Sequence, residues 1–161
     1  LSRAAVADAS PLILLSRAGF LDLLQLLECP VHFPAAVERE IRKKGPDDVT
    51  VRALERAEFL HRVKVPEIPA SIDEWDLGAG ESEVLAWARE HSGAIALLDD
   101  LEARRCAESL DVPVLGTAGL VLAAKRKGRV ETARPALEKL IEVGMYLSAK
   151  TRDRLLRKVG E

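Results

Sequence analysis

The chain has 161 residues, enough for one domain with a sizeable core and too few for several. Its apolar fraction of 48% and charged fraction of 31% describe a globular protein with highly charged helical faces. A formal net charge of −2 argues against nonspecific nucleic-acid binding through overall charge, while leaving room for a local basic patch.

In chain order, the opening Leu1-Ser2-Arg3 has no signal-peptide pattern, and the missing Met reads as processing or truncation, so the cytoplasm is the expected location. Residues 4–7 predict a short buried strand. Asp8-Ala9-Ser10-Pro11 is a strand-to-helix turn in which Ser10 suits the cap and Pro11 the first helical position. Helix continues over 12–17 and breaks near Gly19, and residues 20–27 predict a second apolar helix. A strand over 31–33 ends at Pro34, which opens a helix to about Lys44 that Gly45-Pro46 stops. Residues 47–59 predict a helix, 61–65 an edge strand, and 66–80 a loop. A helix over 81–91 precedes the clearest strand of the chain, 94–98. Helix over 101–110, strand over 112–115 and helix from Thr117 to near Gly128 follow. Residues 132–143 and 149–159 predict charged helices, with 145–147 between them either pairing as an edge strand or simply packing.

Short apolar strands alternating with helices are the pattern of an α/β fold whose parallel sheet is covered on both faces. Residues 131–161 are too few for a core of their own and are expected as a helical appendage on a single domain spanning 1–161. No apolar stretch approaches the ~18 residues of a membrane span. Cys29 and Cys106 fit neither metal-ligand nor redox spacing and are expected as buried, reduced thiols.

Ligands of open parallel sheets bind beyond the carboxyl ends of the strands. Asp8 falls there after the run Ala4–Ala7, and Asp99 and Asp100 fall there after Ala94–Leu98. Glu40 has Ala36, Val37 and Ile41 as helical neighbours, which puts it on or beside the apolar stripe, with Glu38 and Arg39 pointing elsewhere. Glu81 shares a face with Val84, Leu85 and Ala88. Carboxylates in such places are costly unless something neutralises them, and Mg²⁺ or Mn²⁺ suits an all-oxygen set. Such a cluster can orient water and clamp the oxygens of a phosphodiester. No Ser/His or Cys/His pairing competes among His32, His61 and His91, and Gly78-Ala79-Gly80 lacks the third glycine of a phosphate cradle. Arg104, Arg105 and Lys125 are the natural phosphate contacts if the rim binds RNA.

Each acid also has a plainer reading. Asp8 could satisfy turn backbone groups. Asp99 or Asp100 could cap a helix, with Glu102 as the capping-box partner of Asp99. Glu40 could pair with Arg42, Lys43 or Lys44, and Glu81 could complement a helix dipole. Trp75 and Trp87 read as packing residues.

Four short motifs resemble the ordered acidic elements of the PIN-domain (PilT N-terminal) family: Val6-Ala7-Asp8-Ala9-Ser10-Pro11-Leu12, Val37-Glu38-Arg39-Glu40-Ile41, Gly80-Glu81-Ser82-Glu83-Val84-Leu85-Ala86 and Leu98-Asp99-Asp100-Leu101-Glu102-Ala103-Arg104. The resemblance covers about residues 4–130, and the remainder, through Met145-Tyr146-Leu147-Ser148, looks like a poorly characterised prokaryotic subfamily. It implies a three-layer α/β/α sandwich with a central parallel sheet and Mg²⁺- or Mn²⁺-dependent ribonuclease activity. It implies a VapC-like role as the toxin of a toxin–antitoxin pair, as a homodimer neutralised by a small antitoxin. Asp8, Glu40 and Glu81 carry over as catalytic residues and metal ligands, with Asp99, or alternatively Asp100, as the fourth. The third acid is Glu here where the family often has Asp, and its longer arm would shift the metal. The rival expectation is a non-catalytic, dimeric protein-binding module of the same fold. A phosphoacceptor receiver domain fits poorly, because its acidic pair follows the first strand.

Overall fold

The structure, a computed structural model, describes residues 3–161; Leu1 and Ser2, and with them the reading of the extreme N-terminus, lie outside the described residues. Five strands form one all-parallel sheet in the order β3-β2-β1-β4-β5. They are β1 (Ala5–Ala7), β2 (Val31–Pro34), β3 (Leu60–Val63), β4 (Ile95–Leu97) and β5 (Val114–Leu115). Helices pack on both faces: α1 (Ala9–Ala18), α2 (Ala35–Arg42), α3 (Val49–Arg56), α4 (Ala70–Asp73), α5 (Ala79–Glu90), α6 (Leu101–Ser109), α7 (Thr117–Arg126), α8 (Arg134–Glu142) and α9 (Ala149–Arg157), with a 3₁₀ helix at Leu21–Leu27. The result is the three-layer α/β/α sandwich expected from the alternating pattern.

Strand β1 explains the arrangement. Ala5, Val6 and Ala7 are wholly buried, as a central parallel strand covered on both faces requires. The chain builds outward from β1 through β2 to β3, then crosses back to lay β4 on the other side of β1. That reversal opens a crevice beyond the carboxyl ends of β1 and β4. Asp8 is the first residue after β1, and its amide donates to the Leu97 carbonyl of β4 at 3.1 Å.

Several local expectations shift. Helix α1 begins at Ala9, so Asp8 rather than Ser10 holds the cap position. Its backbone is still extended there (φ −76°, ψ 168°) and hands directly into helix, leaving Ser10 and Pro11 in the first turn. Gly19 ends α1 in the left-handed region (φ 76°), its amide reaching back to Leu15 and Ser16. The 66–80 loop contains the one-turn α4, which Pro69 opens. Residues 145–147 form no strand: Met145 packs inward and Tyr146 projects into solvent. Cys106 is buried as expected, whereas Cys29 is only half-buried, and both are free thiols. No helix of the described residues is long and apolar enough to cross a membrane.

The last two helices join the main core. Leu137, Leu140 and Leu156 are fully buried in the same cluster as the sheet residues, each worth about 2 kcal/mol of transfer free energy. Glu161 pins the far end. Its Oε2 accepts from Lys125 Nζ at 2.7 Å and from the Ala133 amide at 2.6 Å, and its Oε1 accepts from the Arg134 amide at 3.1 Å. Helix α9 therefore runs back along α8, with the turn between them at the opposite end.

Candidate active site

Asp8 is only 6% exposed. Its carboxyl stands at about 7 against the ordinary 3.8: burial raises it most, the Ala9 amide pulls it back, and the charges of Glu81, Glu40 and Asp99 add to the rise. No Lys, Arg or His forms an ion pair with Asp8 among the described residues. A carboxylate held this way is destabilised in its charged form unless a cation arrives.

Asp8, Glu40 and Glu81 line one open cavity of about 350 Å³ beyond the sheet edge. Glu40 reaches it from α2 and Glu81 from the first turn of α5. Between them lies Gly80, where an added Cβ would stand 3.0 Å from Asp8 Oδ1, 3.2 Å from Val37 Cγ2 and 3.5 Å from Glu40 Oε2. The bare backbone at Gly80 thus lets two carboxylates and two helices close on one point. Burial also raises the pKa of Glu81, the Gly78 amide bonded to its Oε2 at 3.1 Å opposes this, and the charges of Asp100 and Glu40 add to the rise.

The α2 reading needs correction. Glu40 is exposed at the cavity mouth, not buried on the apolar face. Glu38 is the more enclosed glutamate, its side chain 15% exposed and paired with Arg42 at 2.8 Å and Arg62 at 2.6 Å. A helix of eight residues at a sheet edge presents one side to its neighbours and another to an open crevice, and periodicity does not separate the two.

The two aspartates after β4 divide their work. Asp100 caps α6, its Oδ2 accepting from the Ala103 amide at 3.0 Å. Both oxygens of Asp99 are engaged by Thr117, Oδ1 by the amide at 2.7 Å and Oδ2 by the hydroxyl at 2.6 Å. Its charge nevertheless reaches Asp8.

The basic residues separate as well. Arg104 lies over Gly116, where a Cβ would meet its Nη1 at 2.5 Å and Asp99 Oδ1 at 3.3 Å, so it stands beside the acidic rim. Arg105 pairs with Glu102 on the exposed face of α6. Lys125 is committed to Glu161, which holds the ammonium in a structural contact away from any phosphate.

Apart from Ser10, expected as a helix cap, the other cavity residues escaped the sequence reading. Ser10, Ile13, Leu14 and Arg17 line it as one stripe of α1, at helical spacings i, i+3, i+4 and i+7. That stripe, starting two residues past Asp8, was the available signal. Val143 and Gly144 complete the wall from more than 100 residues away, and no local pattern announces them. Glu83, on the same helix as Glu81, accepts from the Ala36 amide at 2.9 Å and so caps α2 from outside, fixing the helix that carries Glu40. The three histidines take no part. His32 and His91 lie against Trp87, with ring centroids 4.5 and 3.8 Å away, and His91 follows the far end of α5, about 15 Å from Glu81 by helical rise.

The expected convergence of three or four carboxylates on one cation is not seen: among the described residues no group of three or more His, Cys, Asp or Glu side chains is placed to hold a metal ion. The reason is visible in their bonds, since Asp99, Asp100 and Glu81 each have an oxygen taken by a backbone amide. Mg²⁺, however, commonly rests on one or two carboxylates and completes its shell with water and substrate phosphate. Asp8 and Glu40, both close to the space beside Gly80, fit that smaller requirement.

No curated protein matches the chain. A family described as a PIN domain matches it over residues 4–161.

Proposed function

This chain belongs to the PIN-domain family and carries its nuclease-type fold, and from that premise we propose that it is a divalent-metal-dependent endoribonuclease. One observation carries the reading: Asp8, buried at the sheet's reversal point, feels the charges of three other acids and has no ion-pair partner among the described residues. Asp8 and Glu40 would hold Mg²⁺ or Mn²⁺, which when bound supplies an activated water and charge neutralisation at the phosphoryl group. Glu81 supports the rim from α5, and Asp99, fixed by Thr117, maintains the negative field around Asp8. Arg17, the one basic side chain lining the cavity among the described residues, is suited to a non-bridging phosphate oxygen. Arg104 serves the same end of the sheet from α6. The expected products carry a 3′-hydroxyl and a 5′-phosphate.

The finer role is that of a VapC-like toxin, homodimeric and held inactive by a small antitoxin; the order of the four acidic motifs supports it. A short neighbouring reading frame with a DNA-binding pattern would strengthen that assignment.

A non-catalytic protein-binding module is the rival, and the lack of a three-residue ligand set among the described residues favours it. Cleavage of a mixed RNA pool with Mn²⁺ separates the two. The nuclease reading requires cleavage that chelation stops and that Asp8→Ala abolishes while the circular dichroism spectrum is kept. Equal cleavage by Asp8→Ala would sink it.

A further inference from the structure

The hairpin of α8 and α9 has a feature that the acidic cavity alone does not explain. Its turn lines the cavity through Val143 and Gly144. Two residues on, within about 7 Å of Gly144 along the chain, Tyr146 is 95% exposed. An aromatic ring left that open forgoes the burial that usually accounts for an aromatic residue. Helix α9 follows, capped by Ser148, whose Oγ accepts from the Thr151 amide at 3.1 Å.

Lys150, Arg154 and Arg157 are exposed on α9, and Lys158 is exposed at its C-cap with helical backbone. Their spacing of i, i+4, i+7 and i+8 makes them one ridge, about 12 Å long by helical rise. None of the four takes part in an ion pair among the described residues, whereas Arg152 on another face pairs with Asp153 at 3.2 Å. Residues 143–161 hold five basic and two acidic side chains in a chain whose net charge is −2. The clamp at Glu161 fixes the direction: the ridge starts near the cavity mouth and runs away from it toward the start of α8.

We propose that this hairpin is the docking track for single-stranded RNA entering the acidic cavity, with Tyr146 stacking on an unpaired base and the α9 ridge holding the adjoining phosphates. The inference rests on the nuclease reading for its substrate and adds the residues outside the cavity that would hold the strand. An exposed ring beside a basic ridge offers a face to any unstacked base, which a duplex keeps hidden. The ridge supplies the sequence-independent charge that the molecule as a whole lacks.

The test uses the full chain carrying Asp8→Asn, in chelator, so that cleavage does not intrude. Fluorescence anisotropy follows binding of a labelled single-stranded RNA of about 12 nucleotides, a hairpin duplex of the same composition, and a polyglutamate peptide. Single-stranded RNA is expected to bind tightest. Adding Tyr146→Ala should weaken it by about tenfold, and Tyr146→Phe should restore it. Replacing Lys150, Arg154, Arg157 and Lys158 by Ala should lower the slope of log affinity against log salt by about 3, with an unchanged circular dichroism spectrum. Equal binding by Tyr146→Ala, an unchanged salt slope, a preference for the duplex, or equal binding of polyglutamate would each overturn the proposal. RNA binding that follows this pattern in a protein that cuts nothing with Mn²⁺ would uphold the track and remove only the nuclease reading.

Discussion

Asp8 and Glu161 are both acids enclosed by the fold, and they are treated in opposite ways. Glu161, its side chain 14% exposed, accepts from the Lys125 ammonium and from the amides of Ala133 and Arg134. Those partners, the Lys125 hydrogen bond foremost, hold its carboxyl down at about 2. Asp8 receives one neighbouring amide and three like charges, and stands at about 7. A carboxylate that fastens helices is given its counter-charge by the chain. One that is left short of counter-charge, at the point where a parallel sheet reverses, is the place where the proposed function puts a cation.

The largest effect should come from substituting the unsatisfied acid. Asp8→Asn is expected to lower RNA cleavage by about a thousandfold or more, the scale of losing a group that acts directly in the chemistry, measured as initial rates with Mn²⁺. The same substitution should stabilise the metal-free protein. Between the ordinary pKa of 3.8 and the folded value of about 7, the unfolded chain releases a proton that the folded chain retains, so stability falls as pH rises through that window. Asp8→Asn removes this loss and should gain about 2–4 kcal/mol at pH 8 in chelator, with no gain below pH 4, read from urea midpoints.

Glu161→Gln should do the reverse. With the folded carboxyl held near 2 against an ordinary 4.5, its contribution is present above pH 4.5 and is lost as pH falls toward 2. The variant should melt below the wild type at pH 7, and the gap should close in acid. A smaller effect is expected at Glu83: Glu83→Ala frees the Ala36 amide, costing about 1 kcal/mol and lowering cleavage more than stability, because α2 carries Glu40. Gly80→Ala should change stability least, since the helical preference for Ala offsets the crowding against Asp8 and Val37. It should still slow cleavage measurably.

What the chain revealed in advance follows the same division. Asp8 and the pair Asp99/Asp100 were legible because apolar runs precede them and a parallel sheet gives the ends of such runs a fixed place. The alternation of elements carried the layered fold. Glu40 and Glu38 were misjudged because a short helix facing both a core and a crevice has two inward sides. Asp99 and Asp100 were inseparable because either can follow a strand, and only the Thr117 and Ala103 bonds assign them. Lys125 suggested a phosphate contact because its true partner lies 36 residues away, and Gly144 joined the cavity from still farther. Contacts fixed by tertiary closure leave little trace in local periodicity.

The most direct test is the titration of the Asp8 side-chain carboxyl carbon by NMR, with and without Mg²⁺. A midpoint near 7 in chelator that falls by a unit or more on saturation with Mg²⁺ is the predicted result. A midpoint near 4 that Mg²⁺ leaves unmoved would contradict the claim that this acid is held short of charge to receive a cation.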